Sequence, residues 1–153
     1  MDLYEVLKEK DIELPAMPVP AGNYSLAVRS GNLVFTAGQT PKEHGTLLRR
    51  GKLGAEIDPA EGARLARRAA LNALACAAGA ADGDLKRIVR IVKATVFVNS
   101  APGFTGQVGV ANGASDLLEE LFGENGRPAR SAVGVAELPG DAPCEVELVV
   151  EVR

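Results

Sequence analysis

The sequence predicts an α+β domain, a mixed six-stranded sheet with two main helices on one face. Three observations carry that expectation. Short runs dense in β-branched residues alternate with two helical patterns, in the order β-β-β-α-β-α-β-β. A chain of 153 residues is long enough for one domain with its own core. Hydrophobic residues make up 46% and charged residues 24%, the balance of an ordinary globular chain.

Residues 2–10 read as a short helix, with Leu3, Val6 and Leu7 on one side. Pro15, Pro18 and Pro20 follow, a density that no helix or central strand survives. Residues 1–22 are therefore expected to be an N-terminal helix and a proline-containing arm, attached to a single domain spanning 1–153. Residues 24–30 alternate, and Gly31-Asn32 separates them from 33–37, which reads as a hairpin. Residues 42–57 are loop, with a short strand near 46–49. Asp58-Pro59-Ala60-Glu61 is a helix start: Asp58 caps, Pro59 suits the first position and Glu61 completes the box. That helix runs to Gly79. Its apolar face holds Ala66, Ala70, Ala73, Leu74 and Ala77, with Arg64, Arg67, Arg68 and Asn72 on or beside the opposite face.

Residues 88–98 are rich in Ile, Val and Thr and read as a central strand. A second helix ends at Leu121-Phe122 before Gly123, and Thr105 or Ser115 could cap its start. The last two strands flank Pro139-Gly140, which fits a type II turn. A regular hairpin there sets Arg130 opposite Val149 and Glu145 opposite Gly134, about four rungs or roughly 13 Å apart. A small substrate bridges such a pair only if the hairpin is bulged or one residue comes from a neighbouring subunit. In the final strand Val146, Leu148, Val150 and Val152 point one way. Glu145, Glu147 and Glu151 point the other, together with Val149. A half-apolar second face with nothing left to cover it implies an oligomer.

Composition narrows the function. The net charge is −3 and there is no Trp, so a nucleic-acid partner is not expected. The clusters Arg64, Arg67, Arg68 and Lys86, Arg87, Arg90 read as solvated faces. No apolar run is long enough to span a membrane, and residues 1–10 lack the apolar block of a secretory signal, so a cytoplasmic protein is expected. Cys76 and Cys144 read as buried thiols. His44 is the only histidine and has no ligand cluster around it, so neither a zinc site nor a Ser-His-Asp centre is expected.

Arg130 and Glu145 carry the chemistry. Arginine presents a planar fork suited to a carboxylate. A partly desolvated glutamate can act as general base on water. Together they describe a small hydrolase of carboxylate substrates. The alternative is a surface arginine and a strand-face glutamate in unrelated ion pairs.

Tyr24-Ser25-x-Ala27-Val28, Gly31-Asn32-Leu33-Val34-Phe35-Thr36-Ala37-Gly38-Gln39-x-Pro41 and Val92-Lys93-x-Thr95-Val96-Phe97-Val98 resemble the RidA/YjgF family, also catalogued as the L-PSP endoribonucleases. So does Pro128-Ala129-Arg130-Ser131-Ala132-Val133-Gly134-Val135-Ala136-x-Leu138-Pro139, followed by Glu145-Val146-Glu147. The likeness covers about residues 20–153, and the arm, the 42–57 loop and Asn112-Gly113-Ala114-Ser115-Asp116 resemble a longer branch of about 150 residues. The resemblance implies a chorismate-mutase-like fold and a homotrimer with clefts between subunits. It implies hydrolysis there of 2-aminoacrylate-type enamines and imines to 2-keto acids and ammonia, with no metal or cofactor. In that reading Arg130 holds the substrate carboxylate, Glu145 activates water and Tyr24 lines the cleft. Gly38 and Ala132 offer backbone. Ala37 stands where the deaminases often carry serine, and Ala132 where they often carry cysteine. A non-catalytic trimeric carboxylate-binding protein and an endoribonuclease or translation inhibitor are the alternatives.

Overall fold

The computed structural model describes residues 2–20 and 22–153. The chain runs α1 (Leu3–Glu9), β1 (Ala27–Ser30), β2 (Leu33–Thr36), β3 (Lys42–Glu43), β4 (Thr46–Leu47), α2 (Pro59–Gly79), β5 (Ile88–Asn99), α3 (Gln107–Phe122), β6 (Ala129–Val135) and β7 (Cys144–Val152). The α+β class and the mixed sheet are as the sequence implies. The strand count is not: among the described residues the main sheet has five strands, in the order β1-β2-β7-β5-β6. The run near 46–49 pairs instead with Lys42–Glu43 in a separate two-stranded hairpin. His44 and Gly45 turn it, both with positive φ (50° and 80°), the geometry of a tight two-residue loop.

α1 is capped by the Asp2 side chain and buries Leu7, with Leu3 and Val6 against the same core. Asp58 caps α2 through the Glu61 backbone N–H at 2.8 Å, with Pro59 at the first position. α3 begins at Gln107 with Gly106 as its cap, so neither Thr105 nor Ser115 starts it. The two long helices lie on one sheet face and share a single core with it. Leu74, Leu117 and Leu118 meet Val96, Val146, Leu148 and Val150 there. Gly113 is where the helices touch backbone to backbone: a Cβ there would fall 1.8 Å from the Ala63 carbonyl oxygen. Its low helix propensity is the cost of that approach.

β7 alternates as predicted: Val146, Leu148, Val150 and Val152 are buried, and Glu145, Glu147, Val149 and Glu151 are half-buried on the other face. Among the described residues that second face is not covered by a helix, and it exposes Val28, Phe35 and Val133.

The predicted β6–β7 hairpin does not form. β5 lies between them, parallel to β6 and antiparallel to β7. β5 is apolar over most of its twelve residues and can pair on both edges. The β5–α3–β6 crossover makes β6 parallel to it. Pro139–Asp141 is a 3₁₀ turn rather than a hairpin turn, with Gly140 and Asp141 both at positive φ.

Gly113→Ala should push α2 and α3 apart and cost about 1–3 kcal/mol. Urea unfolding would read it as a lower midpoint, whereas Gly109→Ala, where an added Cβ meets nothing, should raise the midpoint.

Candidate active site

The predicted site residues fall into two groups. Tyr24, Gly38 and Glu145 line one depression of about 490 Å³, together with Leu26, Lys42 and Arg50. Arg130 and Ala132 lie elsewhere, on the edge strand β6. Arg130 pairs with Ala94, whose side chain is in the core, so its own side chain leaves the sheet on the helix side. Glu145 pairs with Phe97, three residues along β5, and leaves on the open side. With β5 between them the two are about 14 Å apart at ordinary strand spacing and rise, on opposite faces. A single chain does not bring them together.

Arg130 is held by α3. Its Nη1 donates to Asn112 Oδ1 and to Ser115 Oγ, both at 2.8 Å. Nε and Nη2 make no hydrogen bond among the described residues, which leaves one edge of the fork for an anion. Ala132 faces the helices and packs against the core.

Glu145 lies over the Gly38 backbone. A Cβ at Gly38 would sit 1.9 Å from Glu145 Oε1, so only glycine leaves room for the carboxylate there. Burial pushes the Glu145 carboxyl above the ordinary carboxylate range, and the neighbouring Glu147 charge adds to the shift. A carboxyl raised in this way is a stronger base than an ordinary one once ionised. Gly38 is held by the next residue: the Gln39 N–H donates to the Val146 carbonyl and the Gln39 carbonyl accepts from the Val146 N–H, both at 2.8 Å. Tyr24 is half exposed beside them.

Three supports of this depression were not read from the sequence. Asn72 does not face solvent. It is buried, and its Nδ2 donates to the carbonyls of Thr40 and Lys42 at 3.0 Å. Arg68 Nε also donates to the Lys42 carbonyl, at 2.9 Å. Together they pin the loop after β2 to α2. Asn99 is fully buried at the end of β5. Its Nδ2 donates to the Asp141 carboxylate (3.1 Å) and to the carbonyls of Ala142 (3.0 Å) and Gly51 (3.3 Å), and its Oδ1 accepts from Lys52 Nζ (2.7 Å). The signal for Asn99 was an amide closing an apolar strand. Asn72 had none, because its acceptors lie thirty or more residues away.

The basic clusters are largely engaged. Arg67 makes a two-pronged pair with Glu120, Arg68 meets Glu43, Lys86 meets Asp2 and Arg87 meets Asp82. Both cysteines are buried, and burial pushes the Cys76 thiol up to about 11 and that of Cys144 to about 12, which keeps them unreactive. No group of side chains that could hold a metal ion occurs among the described residues, and no helix there is long and apolar enough to cross a membrane.

Comparison with known proteins gives a consistent picture. The family described as endoribonuclease L-PSP matches residues 15–152. Protein TCP17 of Trypanosoma cruzi is 48% identical over 96% of this chain and 92% of its own length. A 2-iminobutanoate/2-iminopropanoate deaminase of Dermatophagoides farinae is 33% identical over 93% of this chain and 95% of its own. A protein of unknown function from Agrobacterium tumefaciens has the same fold. Its crystal structure superposes with a TM-score of 0.91 at 40% identity, covering 99% of this chain and 92% of that one.

Asn99→Ala removes a buried amide that four groups depend on. It should lower stability by about 2–3 kcal/mol, the range for buried polar groups left without a partner. Denaturant unfolding would measure it, and Asn99→Asp should not restore the loss, because it sets a second carboxylate against Asp141.

Proposed function

This chain belongs to the endoribonuclease L-PSP family, known also as RidA/YjgF, and on that premise we propose that it is an enamine/imine deaminase working in clefts between the subunits of a homotrimer. The observation that carries the reading is the Glu145 carboxyl, half-buried over Gly38, raised in proton affinity and facing a depression shared with Tyr24. Relatives named as imine deaminases across nearly the whole chain support it.

The 2-imino acid enters with its carboxylate on the free edge of the Arg130 fork. Arg130 and Glu145 leave opposite faces of one protomer's sheet, so Arg130 is supplied by a neighbouring copy. The uncovered sheet face with Val28, Phe35 and Val133 is the surface such a copy would bury. Glu145 takes a proton from water as the oxygen adds to the imine carbon and passes it to the nitrogen, which gives a carbinolamine. Glu145 then takes the hydroxyl proton and delivers it to the amino nitrogen as the C–N bond breaks, so the carbon is left as a ketone, the nitrogen departs as ammonia and the carboxylate is regenerated. Imines hydrolyse readily, so a held carboxylate and a placed water suffice.

Cleavage of RNA has less support. The net charge is −3, and Arg67, Arg68, Lys86 and Arg87 of the two basic clusters are already paired with acids, which weakens their hold on a polyanion.

The test is ammonia release from 2-iminopropionate made in situ by an amino-acid oxidase. Turnover above the buffer rate is expected, lost at least a hundredfold in Glu145→Gln and in Arg130→Ala. Turnover at the buffer rate would overturn the reading. Mixing those two inactive variants under conditions that let subunits exchange should restore activity, because some clefts then carry both native residues.

Two pH effects follow from the raised Glu145 carboxyl. Only the ionised form accepts a proton, so kcat/KM should rise with pH through a midpoint above the ordinary carboxylate value of about 4.3. Stability runs the other way: the folded state holds this proton more tightly than the unfolded chain, so the contribution is complete at low pH and is lost as pH rises through the folded value. Glu145→Gln should therefore gain stability over the parent at pH 7 and not at pH 3, measured by thermal unfolding at both.

A further inference from the structure

The depression that holds Glu145 carries more positive charge than a monocarboxylic imine requires. Lys42 and Arg50 line it as well, and Glu145 is the only carboxylate among its described lining residues. Neither cation has an ion-pair partner among the described residues, whereas eight such pairs occur elsewhere on the molecule. Both stand on fixed backbone. The Lys42 carbonyl is tied to α2 by Asn72 and Arg68. Arg50 Nη1 donates to the Gly140 carbonyl. The next residue, Gly51, donates its N–H to the Asp141 carbonyl at 2.9 Å and accepts from the buried Asn99 amide.

Resting on the deaminase reading, we propose that Lys42 and Arg50 form a second anion subsite and that the substrates are imines of amino dicarboxylic acids. The α-carboxylate goes to Arg130, and the distal carboxylate goes to Arg50 and Lys42. A guanidinium with one nitrogen tied to backbone offers its remaining donors in a fixed plane, the geometry that suits a carboxylate. A volume of about 490 Å³ also exceeds what a three-carbon imine fills and lies within the ordinary range for small-molecule sites. The reaction is the hydrolysis already described, with water consumed and ammonia released. The enzyme that supplies the substrate would be one that oxidises, or eliminates from, an acidic amino acid.

The experiment compares kcat/KM for the imine made in situ from aspartate with that for 2-iminopropionate, in the parent, Arg50→Gln, Lys42→Ala and the double variant. The parent should favour the dicarboxylic imine. Each single variant should lower that preference ratio about tenfold, the size of one lost charge-assisted hydrogen bond. Arg50→Gln can still donate to Gly140, and Lys42 is held by its backbone, so the two variants act on the charge without removing the wall. A parent with no dicarboxylate preference, or a ratio that none of the variants moves, overturns the subsite. If the parent hydrolyses neither imine, the deaminase reading fails and calorimetric titration decides the subsite separately. Succinate binding more tightly than propionate, with the difference lost in the double variant, supports it. Equal binding of the two acids removes it.

Discussion

The Asn99 amide is the constraint on which the candidate site depends. It sits at the end of β5, fully out of solvent, and joins three segments that are otherwise only loops. One is the stretch at Gly51, next to Arg50. Another is the 3₁₀ turn at Pro139–Asp141. The third is the Ala142-Pro143 entry to β7, where the Pro143 carbonyl accepts from Asn99 N–H at 3.0 Å. In a dry interior each of these groups is costly if left without a partner, so the arrangement holds as a unit. β7 then starts at Cys144, and Glu145 is delivered to the open face beside Gly38.

A second clamp works from the helix side. Asn72 and Arg68 reach from α2 to the Thr40 and Lys42 carbonyls, and the Gln39–Val146 bridge ties the same loop to β7. The depression is thus walled by two loops anchored from opposite directions. Glu145 among its lining residues has a raised proton affinity, and burial is the main cause. The loops that cover the carboxyl are the ones these hydrogen bonds anchor, which links their packing to its chemistry.

The sheet topology separates the two charges that the motifs bring to notice. β5 pairs with β6 on one edge and with β7 on the other, so Arg130 and Glu145 are separated by a whole strand. Strand alternation then sends them to opposite faces. A hairpin count had already set them too far apart for one small molecule. The observed arrangement reaches the same conclusion by a different route, and it rules out a bulge as the remedy.

Much of the local structure was legible in the sequence. The Asp58-Pro59 start of α2, the Gly31-Asn32 hairpin, the alternation of β7 and the burial of both cysteines all follow from short-range chemistry: caps, turns and period-two patterning; the Glu61 side chain pairs with Arg49 at 3.1 Å instead of completing the capping box. The resemblance picked out Tyr24, Gly38, Arg130, Ala132 and Glu145 together; Tyr24, Gly38 and Glu145 line one depression, and Arg130 and Ala132 lie apart from it on β6. What the sequence could not decide was which strand lies beside which. Pairing energies for β6 against β5 or β7 depend on chain segments dozens of residues away, and a Pro-Gly pair fits a hairpin turn as well as a 3₁₀ turn. For the same reason Asn72, Asn99, Lys42 and Arg50 went unread. Their partners are distant carbonyls or a shared surface, and those exist only once the chain has folded. Local propensity determined the elements of this protein; long-range packing, where buried polar groups must find partners, decided which of them meet.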